Sequence, residues 1–325
     1  MKTPAGPAFA VDAVPFPPAA DRPASPPRRG WLRYPSSAYD QRSAMLFLAP
    51  MMAVLMTVAV FPVLYSFWIS LFDLKLTRPH RVHFVWFGNY VKVFQDPLFW
   101  ESVLRTVNFT VLSVLAIMVI ATLMALLLNQ EFRGRRVLSA ILLIPWAIPS
   151  VANGLMWKWI YDSGYGALNG LLLQLGFIDK YLVMLGDTNK TLPLITNAFV
   201  WKEVPLATIL LLVTLKSIRP DLYSAAKVDG ANVWQRFIHI TLPSLVPGFA
   251  LVVIYETMMA IRHFDLFFVL TEGGPADASH VVAWQVYVET FRKLAFGTGA
   301  ALAYIMALAT FVLAWFIIRA TSRKL

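Results

Sequence analysis

Five ionisable side chains interrupt two long apolar runs of this 325-residue sequence: Lys202 and Glu203 in one, Glu256, Arg262 and Asp265 in the other. A charge in hydrocarbon is costly, so such groups face a bundle interior or a cavity. Three kinds of chemistry are open to them. They can exchange hydrogen bonds with a hydroxyl-rich solute. They can carry coupling protons, with Glu203, Glu256 and Asp265 as carboxylate sites. They can also pair internally, Glu203 or Glu256 with Lys202 or Arg262, and hold helices together. Enzyme chemistry has little to build on. There is no cysteine, so no disulfide, thiolate zinc site, iron–sulfur cluster or catalytic thiol. The five His are scattered, and His80 and His83 read as loop residues. No HExxH, Ser/His/Asp arrangement or GxxxxGK[ST] phosphate cradle occurs. The expectation is a non-enzyme with no metal site and no cofactor of its own.

The elements that position these groups follow from composition. Hydrophobic residues make up 58% and charged residues 14%, with a mean hydropathy of +0.63. A soluble domain carries about 25% charged residues, so the expected class is an all-α membrane protein. Six apolar runs are long enough to cross a bilayer: about 45–71, 106–128, 137–160, 193–216, 245–270 and 298–318. Helices are the expected form, because lipid offers backbone groups no other partner. Segments 1–44, 129–136, 216–244 and 319–325 hold 16 basic residues, against 8 in 72–102, 161–192 and 271–297. That bias places both termini in the cytoplasm. The net charge of +10 is spread over short loops, so nucleic acid is not an expected partner; membrane lipid is. Residues 1–40 are Pro/Ala-rich, with nine prolines before Ser36, and read as a disordered cytoplasmic tail without a cleavable signal peptide. Trp31–Ala44 reads as a linker or a short surface helix. Residues 41–325 form the six-helix domain. Aromatics at span ends fit interfacial belts. Outside, Trp86–Trp100, Ala167–Leu175 and Ala283–Arg292 are too short for an independent domain, the last two reading as surface helices.

The most informative stretch is the cytoplasmic loop 217–244. Pro220 suits a helix start and Asp221 favours its positive end. Leu222 to Asp229 is helix-compatible, Gly230 can end it in a left-handed conformation, and Asn232 can cap a second helix. Val233, Trp234, Phe237, Ile238 and Ile240 recur at helical spacing, and Pro243 stops that helix before the next span. The expectation is two short helices turning on Gly230. On periodicity alone, such a loop lying on the bilayer surface is the favoured reading.

The residue order adds more. Ala225, Ala226, Asp229, Gly230, Ala231, Phe237, Ile240, Leu242 and Pro243 resemble the cytoplasmic loop signature of inner-membrane permease subunits of binding-protein-dependent ABC importers. Gly88-Asn89-Tyr90, Asp96–Trp100, Ile144-Pro145, Ile148-Pro149, Trp201–Pro205 and Thr271–Pro275 are similar to the carbohydrate-uptake, maltose-permease-like branch. The resemblance covers roughly residues 45–325. It implies a multi-pass protein of the cell inner membrane that forms half of a sugar or polyol path. Its implied partners are a second homologous permease subunit, a dimer of ATPase subunits that binds ATP and Mg, and an extracytoplasmic substrate-binding protein. Ser224, Ala225, Ala226, Asp229, Gly230 and Ala231 would couple to the ATPase. Ser224 stands where the family usually has Glu, so a salt bridge from that position is absent.

By motif spacing, the resemblance places solute-path candidates at Phe199, Lys202, Glu203 and Leu206, then at Glu256, Met259, Ala260 and His263. Charged groups replace neutral ones of the maltose pattern, and the solute site lies in this subunit or mainly in its partner. Gly273, Gly274 and Pro275 would face the binding protein. The alternative is an ion-coupled secondary transporter using the intramembrane carboxylates; it would need internal repeats, which are not evident between spans 1–3 and 4–6.

Overall fold

The computed structural model describes residues 38–322. The Pro/Ala-rich tail, with Trp31, lies outside the described residues up to position 37. The chain divides between Val60 and Phe61 into two compact units. In the first, helix α1 (Ala38–Leu55) passes into a π-helical turn, Met56–Val60. In the second, α2 (Phe61–Ser70) comes first. Met45–Ser70 is long and apolar enough to cross a membrane, and its most apolar window has no residue buried within this chain.

The second unit continues with α3 (Gly88–Gln95) and the 33-residue α4 (Pro97–Asn129). Asp96 Oδ1 accepts from Leu98 N at 3.0 Å and Pro97 opens the helix, so this span starts before the expected Thr106. The expected third span, 137–160, is two helices, α5 (Arg135–Ala147) and α6 (Ser150–Ile160), bent by 97°. The cause is Pro149, which holds Ile148 extended at φ −74°, ψ 130°. After α7 (Ala167–Gln174), the 29-residue α8 (Thr188–Lys216) begins at an Asp187 cap that accepts from Asn189 N at 2.9 Å. Then come α9 (Pro220–Val228), α10 (Val233–Arg236), a π-turn at Phe237–Thr241, α11 (Leu242–Ser244) and α12 (Val246–Ile261).

The expected fifth span, 245–270, is also interrupted. Val233–Ser244 and α12 meet at 58°, and Pro243 stands one residue before that break, where the loop helix ends as expected. Residues 262–264 are non-helical before α13 (Asp265–Leu270). The chain closes with α14 (Val282–Tyr287), a π-turn at Val288–Arg292 and α15 (Phe296–Ser322). Among the described residues, four helices are long and apolar enough to span, rising to six if each bent pair is one crossing. No strand occurs among them, only isolated bridges at Phe72–Phe84 and Lys75–Ala295.

The core runs along α4 and α8. Ile117, Ala121 and Ala125 are fully buried with Ala198, Ala207 and Leu211, and the alanines let backbones approach closely. The segment 283–292 is not the surface helix expected. Trp284 is 1% exposed, and Val282 N donates to Thr106 Oγ1 of α4 at 3.0 Å.

Beside that contact, buried His280 Nδ1 lies 3.0 Å from Ser102 Oγ. Burial lowers the His280 pKa from its ordinary 6.5, opposed by Asp277 and aided by Arg105 and Lys293. Because the folded value is the lower one, the unfolded chain binds the extra proton first, and stability falls as pH drops through about 6.5. The melting temperature of the purified protein is therefore expected to decline from pH 8 to pH 5. His280→Gln should flatten that part of the profile.

Candidate functional site

Two places carry the functional geometry. The first is the elbow after α8. Arg219 is extended (φ −64°, ψ 128°), as the residue before a proline must be, and Pro220 opens α9. At the other end, Ala231 N donates to Ala226 O at 2.8 Å and Gly230 N to Lys227 O at 3.1 Å. These two bonds are a Schellman closure, and it needs Gly230 at φ +79°. Asn232 then starts α10 with a reciprocal capping box: Gln235 N donates to Asn232 Oδ1 and Asn232 N to Gln235 Oε1, each at 2.8 Å. The Tyr223 and Thr241 hydroxyls, 2.9 Å apart, tie α9 to the π-turn. Ser224, Ala225, Asp229 and Gly230 are exposed, with Ala226 and Ala231 half-buried. Val228 is 88% and Trp234 67% exposed, and a hollow of about 400 Å³ opens inside the bend between Ala226 and His239. The arrangement is an exposed elbow, closed by backbone bonds and capped at its second helix, with Ala225 on its surface.

The second place is the buried polar cluster on α8 and α12. Phe199 and Glu256 are fully buried and Lys202, Glu203 and Ala260 nearly so, with Leu206, Met259 and His263 partly exposed. Lys202 Nζ donates to Glu203 Oε1 at 3.2 Å. Glu256 lies within electrostatic range of both, and the rings of His263 and Phe199 meet edge-on at 4.8 Å. Phe199 in turn packs on Phe109 at 5.2 Å. The break at 262–264 seats Phe264 against Tyr287 at 5.0 Å and Trp284 at 6.0 Å. Arg262 is exposed at this break, so internal pairing in the buried set is limited to Lys202 with Glu203.

At the far side of α13 lies the turn 271–279. Gly273 is at φ +86° and buried beneath Trp284, and Ser279 Oγ donates to Gly274 O at 2.7 Å. Pro275 follows a cis bond, and Glu272, Ala276 and Asp277 are the exposed residues. Glu272 pairs with Arg292, whose guanidinium lies 4.8 Å from the Trp284 ring centre.

Residues 117–323 match the binding-protein-dependent transport system inner membrane component family. The chain belongs to that family. Its relatives include the trehalose/maltose transport system permease protein of Thermococcus litoralis, 37% identical over 84% of this chain and 90% of that protein. The sulfoquinovosyl glycerol transport system permease protein of Agrobacterium fabrum is 34% identical over 82% of this chain and 86% of that protein. In fold, the chain is similar to a subunit in the crystal structure of a bacterial ABC transporter involved in alginate import. That match has a TM-score of 0.75 at 22% identity and covers 87% of this chain and 96% of that one. The resemblance carried by Ala225–Pro243 thus holds at family level, and the chain is an inner-membrane permease.

Not all polar features of this permease were visible as motifs. Asn153 on α6 is fully buried and donates to Ala198 O at 3.2 Å. Trp157 on the same helix packs on Trp201 at 5.9 Å. Their signal in sequence was only a lone amide and an aromatic in an apolar run. A cavity of about 420 Å³ opens elsewhere, between α4, α12 and α15. Its wall of Val107, Val111, Leu115, Ile305 and Leu313 suits hydrocarbon, and none of the solute-path candidates lines it.

Proposed function

We propose that this permease forms half of the translocation path of an ABC importer for a sugar or related polyol. It works beside a second homologous permease subunit, two ATPase subunits that hold ATP and Mg, and an external substrate-binding protein. Both termini face the cytoplasm, and the six crossings include the two bent ones. The sugar class is supported by the names of the two relatives above. The observation that carries the coupling is the elbow: a capped, exposed projection held by backbone bonds at Gly230 and Ala231. A lever of this kind passes a push from a closing ATPase dimer into α8 and α12, which biases a two-state bundle. Ser224, Ala225, Ala226, Asp229, Gly230 and Ala231 form the docking face. The turn 271–279 faces the binding protein through its exposed Glu272, Ala276 and Asp277, with Gly274 and Pro275 partly exposed and Gly273, buried beneath Trp284, shaping the turn rather than touching the partner.

The chain has no phosphate-binding loop of its own. Purified alone in liposomes, it is expected to hydrolyse no ATP and to move no sugar. With its partner subunits and binding protein, ATP-driven uptake should appear. Uptake by the single chain, driven by a proton or sodium gradient without ATP, would instead establish the secondary-transporter alternative.

A further inference from the structure

The loop between α2 and α3 carries charge that the fold itself does not use. Its base is an antiparallel bridge at Phe72–Phe84, where Asp73 N donates to His83 O and Val85 N to Leu71 O, each at 2.9 Å. Two turn bonds fold its tip: Arg78 N to Lys75 O at 2.9 Å and Arg81 N to Arg78 O at 3.1 Å. Leu76 N donates to Leu294 O at 3.0 Å and Gly297 N to Leu74 O at 3.2 Å, which pins the loop to the start of α15. Lys75, Arg78, His80, Arg81 and His83 are all exposed on this ordered scaffold.

Three observations call for a partner outside the chain. First, no Asp or Glu occurs from Leu74 to Trp86, and the neighbouring Asp73 faces Lys92 at 4.0 Å. Lys75, Arg78 and Arg81 form no ion pair among the described residues, whereas Arg292 and Lys293 close by are matched with Glu272 and Glu289. Second, external segments of membrane proteins are the ones poor in Lys and Arg, yet three of the eight in this chain's external segments fall within seven positions of this loop. Third, the loop continues the surface of the turn 271–279. Leu294, which holds Leu76, lies two residues beyond Arg292, and Arg292 holds Glu272. Unpaired cations and the exposed carboxylates of Glu272 and Asp277 therefore occupy neighbouring, linked segments. A surface of two signs sets the orientation of a protein partner and speeds its encounter. A uniformly anionic lipid surface would be repelled by those carboxylates.

We propose that Lys75, Arg78 and Arg81 form a docking surface for an acidic face of the external binding protein, beside the contact made by the turn 271–279. The proposal rests on the importer reading and adds to it a second, electrostatic point of contact. The test uses the complete assembly in phosphatidylcholine nanodiscs, with the cognate binding protein purified without stripping its solute. ATP hydrolysis is titrated with that protein. In the wild type, the half-saturating concentration is expected to rise several-fold between about 50 and about 300 mM NaCl, as exposed charge pairs are screened. Arg78→Glu combined with Arg81→Glu should raise it about tenfold at the lower salt, and that loss should shrink at the higher salt. The rate at saturating binding protein should change by less than about twofold, because the charges act on encounter and docking. Arg78→Lys combined with Arg81→Lys keeps the charge and should stay within about twofold of the wild type.

An unchanged half-saturating concentration in the charge-reversed pair would overturn the proposal. A loss that appears only in nanodiscs containing anionic phosphatidylglycerol would also overturn it, and would assign the loop to lipid headgroups. An equal loss in the lysine pair would do so as well, because the arginines would then serve the fold rather than the charge. The two readings fail differently. If the binding protein does not stimulate even the wild type, the importer reading falls; if it stimulates wild type and charge-reversed pair alike, only the docking surface does.

Discussion

Gly230→Pro is expected to abolish ATP-driven uptake by the assembled importer, by about 100-fold or more, while membrane levels of the protein stay normal. Proline fixes φ near −65°, whereas Gly230 sits at +79°. It also removes the N–H that bonds Lys227 O at 3.1 Å. A conflict of about 3 kcal/mol or more lowers the fraction of correctly bent elbow by about two powers of ten. The companion substitution gives the contrast. Asparagine tolerates the left-handed region, and a Cβ at Gly230 meets nothing within 4 Å. Gly230→Asn should therefore retain uptake within about twofold. A loop that merely rested on lipid would respond to both substitutions weakly and alike. Reconstituted uptake assays normalised to protein content read the difference.

Gly273→Ala carries the second large effect. Two costs add there. The residue is at φ +86°, unfavourable for a side chain by about 1–2 kcal/mol. A Cβ would also press into the Trp284 indole, 2.8 Å from Cδ1 and closer still to Nε1. Trp284 cannot yield easily, because it is stacked on Phe264 and Tyr287 and is 1% exposed. Overpacking of this kind costs about 1–3 kcal/mol. The melting temperature should fall by roughly 5–10 °C, read by intrinsic tryptophan fluorescence. Because Phe264 follows His263 directly, uptake should fall too, as the break at 262–264 loses its support.

The elbow was legible in sequence because its geometry is decided locally. Pro220, Gly230 and Asn232 each fix one backbone feature, and their spacing leaves little freedom. The breaks were not legible to the same degree. Pro149 could have kinked a continuous helix or split it, and the 97° outcome depends on what α6 packs against. Residues 262–264 contain neither glycine nor proline. Aromatic packing of Phe264 and Phe268 on Trp284 and Tyr287 accompanies that interruption, and such contacts leave no local pattern. The solute-path candidates came together as a cluster at Lys202, Glu203, Glu256 and His263. Asn153 and Trp157 joined it only through tertiary packing.

The lever itself can be observed directly. The sequence has no cysteine, so Val228→Cys, at a position 88% exposed, provides a single reporter thiol on α9. In the assembled importer, that thiol should crosslink to the ATP-hydrolysing subunit and be shielded from a water-soluble maleimide. A thiol that labels equally with and without the ATPase, and whose attached fluorophore is quenched by lipid-borne nitroxide, would show the elbow lying on the bilayer and contradict the account.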